Sequence, residues 1–224
     1  TTETKIGLEI IDVSEFDAAD FCIGCAGNWK GNISVGVKTR GRDSTTISRA
    51  EIKGDIPIQI SDNPNDTIDI DHFHFQDIYL LANSLTVGSC VLIDSGVNLS
   101  NTTFDGYQAW VGGGDGLTWV DTTTAQVSYS FTIRNVRWEQ GVSATGYAVR
   151  IEHNHNLQNL IIDSFYSGGG TANNGFRLAR VVHGTLSNVF YAGTLTALSL
   201  QSTAAPITLI SSFFQAGSTV VLDN

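Results

Sequence analysis

The sequence predicts an all-β chain folded as a right-handed parallel β-helix, a solenoid with coils of about 24 residues. Three observations predict it. A hydrophobic signature, h-x-x-h-x-h, recurs from Ile47, Ala50 and Ile52, through Phe75, Ile78 and Leu80, to Ile210, Phe213 and Gln215. A polar residue precedes the second hydrophobic position: Arg49, Asp77, Asn101, Asn135, Ser164, Asn188 and Ser212 in turn. A second segment in each repeat alternates with period two, as in CVLID around Val91 and Ile93, AVRIE around Val149 and Ile151, and ALSLQ around Leu198 and Leu200. Alternation marks a strand with one buried face, and recurrence at a longer fixed spacing marks a stacked array.

Residues 1–46 are expected to form an entry segment or irregular first coils. There ISVGV, with Ile33, Val35 and Val37, reads as a strand, whereas EFDAADF reads as a helical turn or a loop. The regular β-helix is expected over 47–224. Between the first and last copies named above it contains Leu99, Thr102 and Phe104; Ile133, Val136 and Trp138; Ile162, Phe165 and Ser167; and Leu186, Val189 and Tyr191. The polar residue inside each copy bends the backbone, and stacking at about 4.8 Å lets it bond its equivalent one coil away. Crossovers between parallel strands are nearly always right-handed, which supplies the hand. A β-sandwich would need hairpin turns, but the Asn-Gly pair at Asn174 and Gly175 lies in a loose run after GGG. No segment keeps a helical period for three turns. The chain starts at Thr1, contains no Met and stops at Asn224 just after VVLD, so a segment of a longer protein is expected.

Composition narrows the function classes. The 23 glycines against 3 prolines suit short strands and tight turns. With 12 Lys and Arg against 22 Asp and Glu, the net charge of −10 leaves no electrostatic footprint for nucleic acid or an anionic membrane. No stretch has the roughly 20 apolar residues of a membrane span, so no membrane insertion is expected. Cys22 and Cys25 form C-x-x-C without the second pair that would complete a zinc site. They read as small buried residues. Neither a metal nor a cofactor is called for.

Alternation also locates candidate site residues. If Val91, Val149 and Phe176 point inward, Leu92, Arg150 and Arg177 point out, followed two residues later by Asp94, Glu152 and Ala179. With Val120 taken as buried, Trp119 and Asp121 join these outward columns. Asp94, Asp121 and Glu152 are then the candidate catalytic carboxylates. Carboxylates one or two strand spacings apart bracket the separations used by glycosidases, and their repulsion would raise one pKa to make a proton donor. The structural counterpart is a solvated ladder of ion pairs.

Tyr107–Asp121, YQAWVGGGDGLTWVD, reads as a glycine-rich insertion beside this patch. Its Tyr107, Trp110 and Trp119 could stack on sugar rings, with Arg150 and Arg177 as further substrate-binding groups, or could pack against a neighbouring subunit. His153 and His155 read as solvated turn residues rather than metal ligands. SFYSGGGTANNG reads as a wide loop.

The repeat grammar of TIRNVRWEQG and TLSNVFYAG resembles the pectin-lyase-like β-helix superfamily, and especially the bodies of bacteriophage tailspikes and related virion adhesins. It covers about residues 47–224. It implies binding of a bacterial surface polysaccharide, with depolymerisation left open, by a homotrimer on a virion tail appendage or in the extracellular space. The rival expectations are a non-catalytic stem and a free-standing polysaccharide lyase or hydrolase. IDIDHF, around Asp71 and His72, superficially resembles the Asp-His string of pectate lyases, without the Arg-containing partner motif.

Overall fold

A computed structural model describes residues 5–11, 13–25, 33–40, 44–61, 70–82, 89–111, 114–121, 128–140, 146–169, 174–201, 206–215 and 219–223. Among these residues the regular elements are strands, paired in parallel as a β-solenoid. No helix among them is long and apolar enough to cross a membrane.

Each coil lays a strand on three faces in turn. The first face carries Val35–Arg40, Ile56–Ile60, Val91–Ile93 and Leu117–Asp121. The second carries Phe16–Ala19, Leu99–Asp105 and Gly184–Ser187, and the third Cys22–Ile23, Gln108–Val111 and Phe190–Tyr191. Longer strands turn corners unbroken: Thr45–Gly54, Phe73–Ala82 and Ser128–Gln140 span the second and third faces, and Tyr147–Gly169 visits all three.

The corner between the second and third faces is one residue in the left-handed region. Asp20, Arg49, Asp77, Asn135, Ser164, Asn188 and Ser211 hold φ between 45° and 57° there, and Gly106 holds 70°. Short polar side chains tolerate this conformation by bonding locally, and glycine adopts it without strain. One such residue between extended neighbours redirects the strand while ladder bonds continue on both sides, as between Ile133↔Ile162 and Val136↔Phe165. A second left-handed ladder, His72, Asn101, Ser130, Asn159 and His183, marks the entry to the second face.

The polar turn ladder is therefore real, with two shifts of frame. Asn101 belongs to the entry ladder, and its coil turns its later corner at Gly106. Thus Phe104, Tyr107 and Ala109 are the third copy of the signature, not Leu99, Thr102 and Phe104. In the last copy Leu209, Ser212 and Phe214 stand against Leu186, Val189 and Tyr191, one residue before the expected frame.

The coil is also longer than expected. Equivalent residues lie 29 apart in Phe75↔Phe104 through Ile133↔Ile162 and fall to 24 and 23 only at Ile162↔Leu186 and Leu186↔Leu209. On the first face the offset swings from 21 at Val35↔Ile56 to 33 at Ile58↔Val91. The one-residue corner locks the second and third faces together, whereas connections on both sides of the first face exchange residues.

The ladders extend into the expected entry segment, since Ile6–Ile11 pairs with Val35–Arg40 and Phe16–Ala19 with Thr45–Gly54. EFDAADF is neither helical turn nor loop. Ala18 stacks on Ile47 and Ile23 on Ile52, with Asp20 at the corner between them.

The interior is continuous. Phe75 and Phe104 stack with ring centroids 4.6 Å apart, and Phe131 and Trp119 extend the aromatic column at 5.9 and 5.3 Å. Aromatic residues one coil apart meet because the strand spacing matches an offset-stacking distance.

Candidate functional site

The first-face patch forms in part. Arg150 pairs with Arg177 and Glu152 with Ala179, as the alternation implied. Glu152 Oε1 accepts from Arg150 Nε at 2.7 Å and forms an ion pair with Arg177, whose Nε lies 2.7 Å away. Its hydrogen bond raises the Arg150 pKa. Arg177 also lies over the Tyr147 ring at 5.8 Å and donates to Gln201 Oε1 at 3.3 Å. Asp94 instead accepts from Gln59 Nε2 at 2.8 Å and Ser61 Oγ at 2.7 Å, on the preceding coil.

Trp119 and Asp121 depart from their expected columns. Thr118 and Val120 stand against Arg150 and Glu152, while Leu117, Trp119 and Asp121 face inward. Trp119 is fully buried, with the His153 ring edge-on at 4.3 Å. The cause is area: burying Leu117 with Trp119 removes far more apolar surface from water than burying Thr118 with Val120. Asp121 is buried at the strand end, where its Oδ1 accepts from Ser95 Oγ at 3.0 Å and Gly96 N at 3.1 Å. Asp121 and Glu152 nevertheless line one hollow of about 300 Å³, with His153, Asn154, Arg180 and Gln201. His153 is buried rather than solvated. The side chain of His155 lies outside the described residues.

Tyr107 is also interior. It follows the Gly106 corner as a regular core position, and burial pushes its phenol pKa upward. The expected insertion is a third-face strand, Gln108–Val111, followed by a connection and the first-face strand Leu117–Asp121. Trp110 stands in register with Leu81 and Glu139; its side chain lies outside the described residues. Most of SFYSGGGTANNG is also ladder: 164–169 closes Tyr147–Gly169 and Asn174 opens Asn174–Val182, while 170–173 lie outside the described residues.

A larger concavity runs along the corner and outer surface of the third face. A groove of about 720 Å³ is lined by Asp20, Cys22, Arg49, Glu51, Asp77, Tyr79 and Gln108, among others. It shares Tyr79 and Gln108 with an adjoining hollow of about 230 Å³ that reaches Arg137 and Glu139. The outward column is Cys22, Glu51, Tyr79, Gln108, Arg137, Tyr166, Phe190 and Phe213, one residue per coil. From Cys22 to Arg137 it crosses four ladder steps, about 19 Å at the usual spacing.

The charges along this groove are largely paired. Arg49 donates to both Asp20 oxygens at 2.7 Å, and these bonds hold the Asp20 carboxyl below its usual range. Lys53 Nζ meets Glu51 at 2.7 Å, and Arg137 meets Glu139 at 2.6 Å. Tyr79 is 40% exposed and stands between Glu51 and Gln108 in the column. Farther along, Tyr166, Phe190 and Phe213 stack on one another, with centroids 5.4 and 5.1 Å apart and rings 3° and 15° from parallel. Those faces are turned toward each other along the axis.

Cys22 and Cys25 are exposed at the groove's first rung and adjoin as a disulfide pair, not as buried residues. Cys90 is the buried cysteine, and desolvation pushes its thiol pKa upward.

Sequence reasoning missed the third-face column. Its signal is the position between the second and third hydrophobics of each copy: Glu51, Tyr79, Arg137, Tyr166 and Phe190. Comparison with family models, with curated proteins and with solved structures returned no match.

Proposed function

We propose that the solenoid binds an extended polysaccharide along the outer groove of its third face. The observation that carries this reading is the continuous groove around Tyr79, in which an exposed aromatic ring is flanked by the carboxylates of Glu51 and Asp77, the Gln108 amide and the Arg137 guanidinium. Sugar rings present apolar faces to an aromatic side chain while their hydroxyls need both donors and acceptors. The strand repeat suits an extended ligand, because each coil presents one outward side chain about 4.8 Å further along.

Binding is proposed rather than turnover. A glycosidase of the two-carboxylate type needs one carboxyl raised to act as acid. The resolved carboxylate shifts are downward: Arg49 lowers Asp20, and the Ser187 hydroxyl, the Asn188 amide and Ser164 lower Asp163. Glu152 is clasped by two arginines, while Asp94 and Asp121 are engaged by neighbouring coil and turn donors. This is the specific support for the second reading, in which the first-face carboxylates belong to a non-catalytic stem.

The resemblance in repeat grammar adds a bacterial surface polysaccharide as ligand and a homotrimeric setting on a virion appendage or outside the cell to the proposal. A sedimentation mass of one chain for the intact protein would remove the trimer. For the groove, a broad glycan array followed by calorimetry on Tyr79→Ala and Arg137→Ala is the test. Each variant is expected to weaken binding about tenfold with its circular dichroism unchanged, one aromatic or charged contact being worth roughly 1–2 kcal/mol. Failure of the unaltered protein to bind any glycan, or unchanged binding by Tyr79→Ala, overturns the reading.

A further inference from the structure

The two exposed cysteines stand where a ligand set comes together. Cys22 opens the third-face strand, and Cys25 follows Gly24, whose φ of +75° turns the chain back. The two Cα atoms are 5.9 Å apart. The next coil places Glu51 beside Cys22 in ladder register. The Glu51 carboxylate divides its contacts: Oε1 meets Lys53 Nζ at 2.7 Å, and Oε2 lies 3.9 Å from Cys22 Sγ. One ligand atom from each of Cys22, Cys25 and Glu51 falls within 4.8 Å of the others.

We propose that Cys22, Cys25 and Glu51, with the two thiols reduced, bind a thiophilic divalent cation of the zinc class. This inference stands apart from the glycan reading. Two thiolates and a carboxylate are a zinc-type donor set, and sulfurs sharing a tetrahedral zinc lie about 3.8 Å apart at ordinary Zn–S lengths. C-x-x-C with the intervening turn brings two sulfurs together, and the coil repeat rather than the local sequence supplies the third ligand. Lys53 is the outer partner that orients Glu51. Three protein ligands leave a fourth position for water, and two of the three, Cys22 and Glu51, line the groove.

Binding forms two metal–sulfur bonds and one metal–oxygen bond. Two thiol protons leave to solvent, coordinated waters depart, and the metal keeps its oxidation state. The disulfide and the metal complex are exclusive states of one pair. Passing from the first to the second requires two electrons, which a phosphine supplies in the test as water oxygen converts it to the phosphine oxide; the two protons taken up in forming the dithiol leave again when the metal binds.

The experiment reduces the full chain with a phosphine, desalts it without oxygen and titrates it with Co²⁺. The expected result is one cobalt per chain with thiolate charge-transfer absorption, displaced by Zn²⁺. Cys22→Ser and Cys25→Ser should each abolish that absorption, while Glu51→Gln should keep it and weaken binding at least about tenfold. Both cysteines are exposed, so circular dichroism should show the fold kept in each variant; Cys90, buried, is left in place as an internal control. No cobalt–thiolate absorption in the reduced unaltered protein, or absorption that persists in Cys22→Ser, overturns the assignment.

Discussion

Replacing Trp119 by alanine separates an interior role from a ligand-binding one. The side chain is fully buried, edge-on to His153 at 4.3 Å and tilted against Phe131 at 5.3 Å. A buried indole removes on the order of 250 Å² from water, which at about 25 cal/mol per Å² sets a ceiling near 6 kcal/mol. Truncations of buried aromatics to alanine cost about 3–5 kcal/mol once partial relaxation of the cavity is included. That is a large share of the roughly 5–15 kcal/mol that holds a typical domain. Denaturant unfolding followed by far-UV circular dichroism should therefore show a lower midpoint and, because a solenoid is coupled coil to coil, an altered slope. Tyr166→Ala is the control: its ring is 41% exposed and stacks on Phe190, so about 0.5–1.5 kcal/mol is expected. If Trp119→Ala costs under about 1 kcal/mol while abolishing glycan binding, Trp119 faces the ligand and the inward register of its strand is wrong.

Three further outcomes follow from the corner ladder and the charge patch. Asp163 accepts from Ser187 Oγ at 2.5 Å and Asn188 Nδ2 at 3.0 Å on the next coil, and these bonds depress its pKa. Its contribution is present above the ordinary aspartate value near 3.9 and is lost as pH falls through the depressed folded value; Asp163→Asn should cost about 1 kcal/mol at neutral pH, the gap to the unaltered protein closing in acid melts. Gly106→Ala should cost about 1–2 kcal/mol in chemical unfolding, because φ is +70° and the new Cβ would stand 2.6 Å from Asp77 Oδ1; Gly106→Asn should cost less at the same backbone angle. Glu152→Gln should lower stability by roughly 1 kcal/mol, with salt reducing the difference, and leave glycan affinity unchanged, since it frees two arginines from a shared partner outside the third-face groove. A selective loss of turnover on a cleavable glycan would instead restore Glu152 as a catalytic group.

The fold was legible wherever one residue type had to satisfy a fixed backbone angle. Arg49, Asp77, Asn135, Ser164 and Asn188 stand at the left-handed corner because a single residue makes the turn there, so their place within the hydrophobic signature survives every change in loop length. The coil length was not legible from an average over both strand patterns. The second and third faces keep offsets of 29 from Phe75↔Phe104 to Ile133↔Ile162 and shorten to 24 and 23 in the last coils, while the first-face strand slides between 21 and 33, so an average over both patterns falls short of the longer coils. Gly106 hid one corner, because the polar signature there is a glycine and Asn101 offered a decoy five residues earlier. For the site, alternation placed Arg150, Glu152 and Arg177 correctly. It failed at LTWVD, where both faces of the strand carry an apolar residue and only relative size decides which is buried. The pairing of Cys22 with Glu51 depends on the register of two coils, which no local motif encodes.

The sliding of the first face also makes the scaffold tolerant in one specific place. From Val120 to Ser128 the chain advances eight positions in passing from the first face to the second; the next coil advances five from Glu152 to Leu157, and the one after it two from Ala179 to Val181. The described ends of these connections, Asp121 and His153, line a hollow with Glu152, while the ladders on either side keep their pairing. Length at this edge is a free variable, whereas a residue added at the one-residue corner would throw every later side chain onto the wrong face. A library that diversifies and lengthens the 121–128 connection should give folded members with new ligand preferences, and the same insertions at Asn135 should give none.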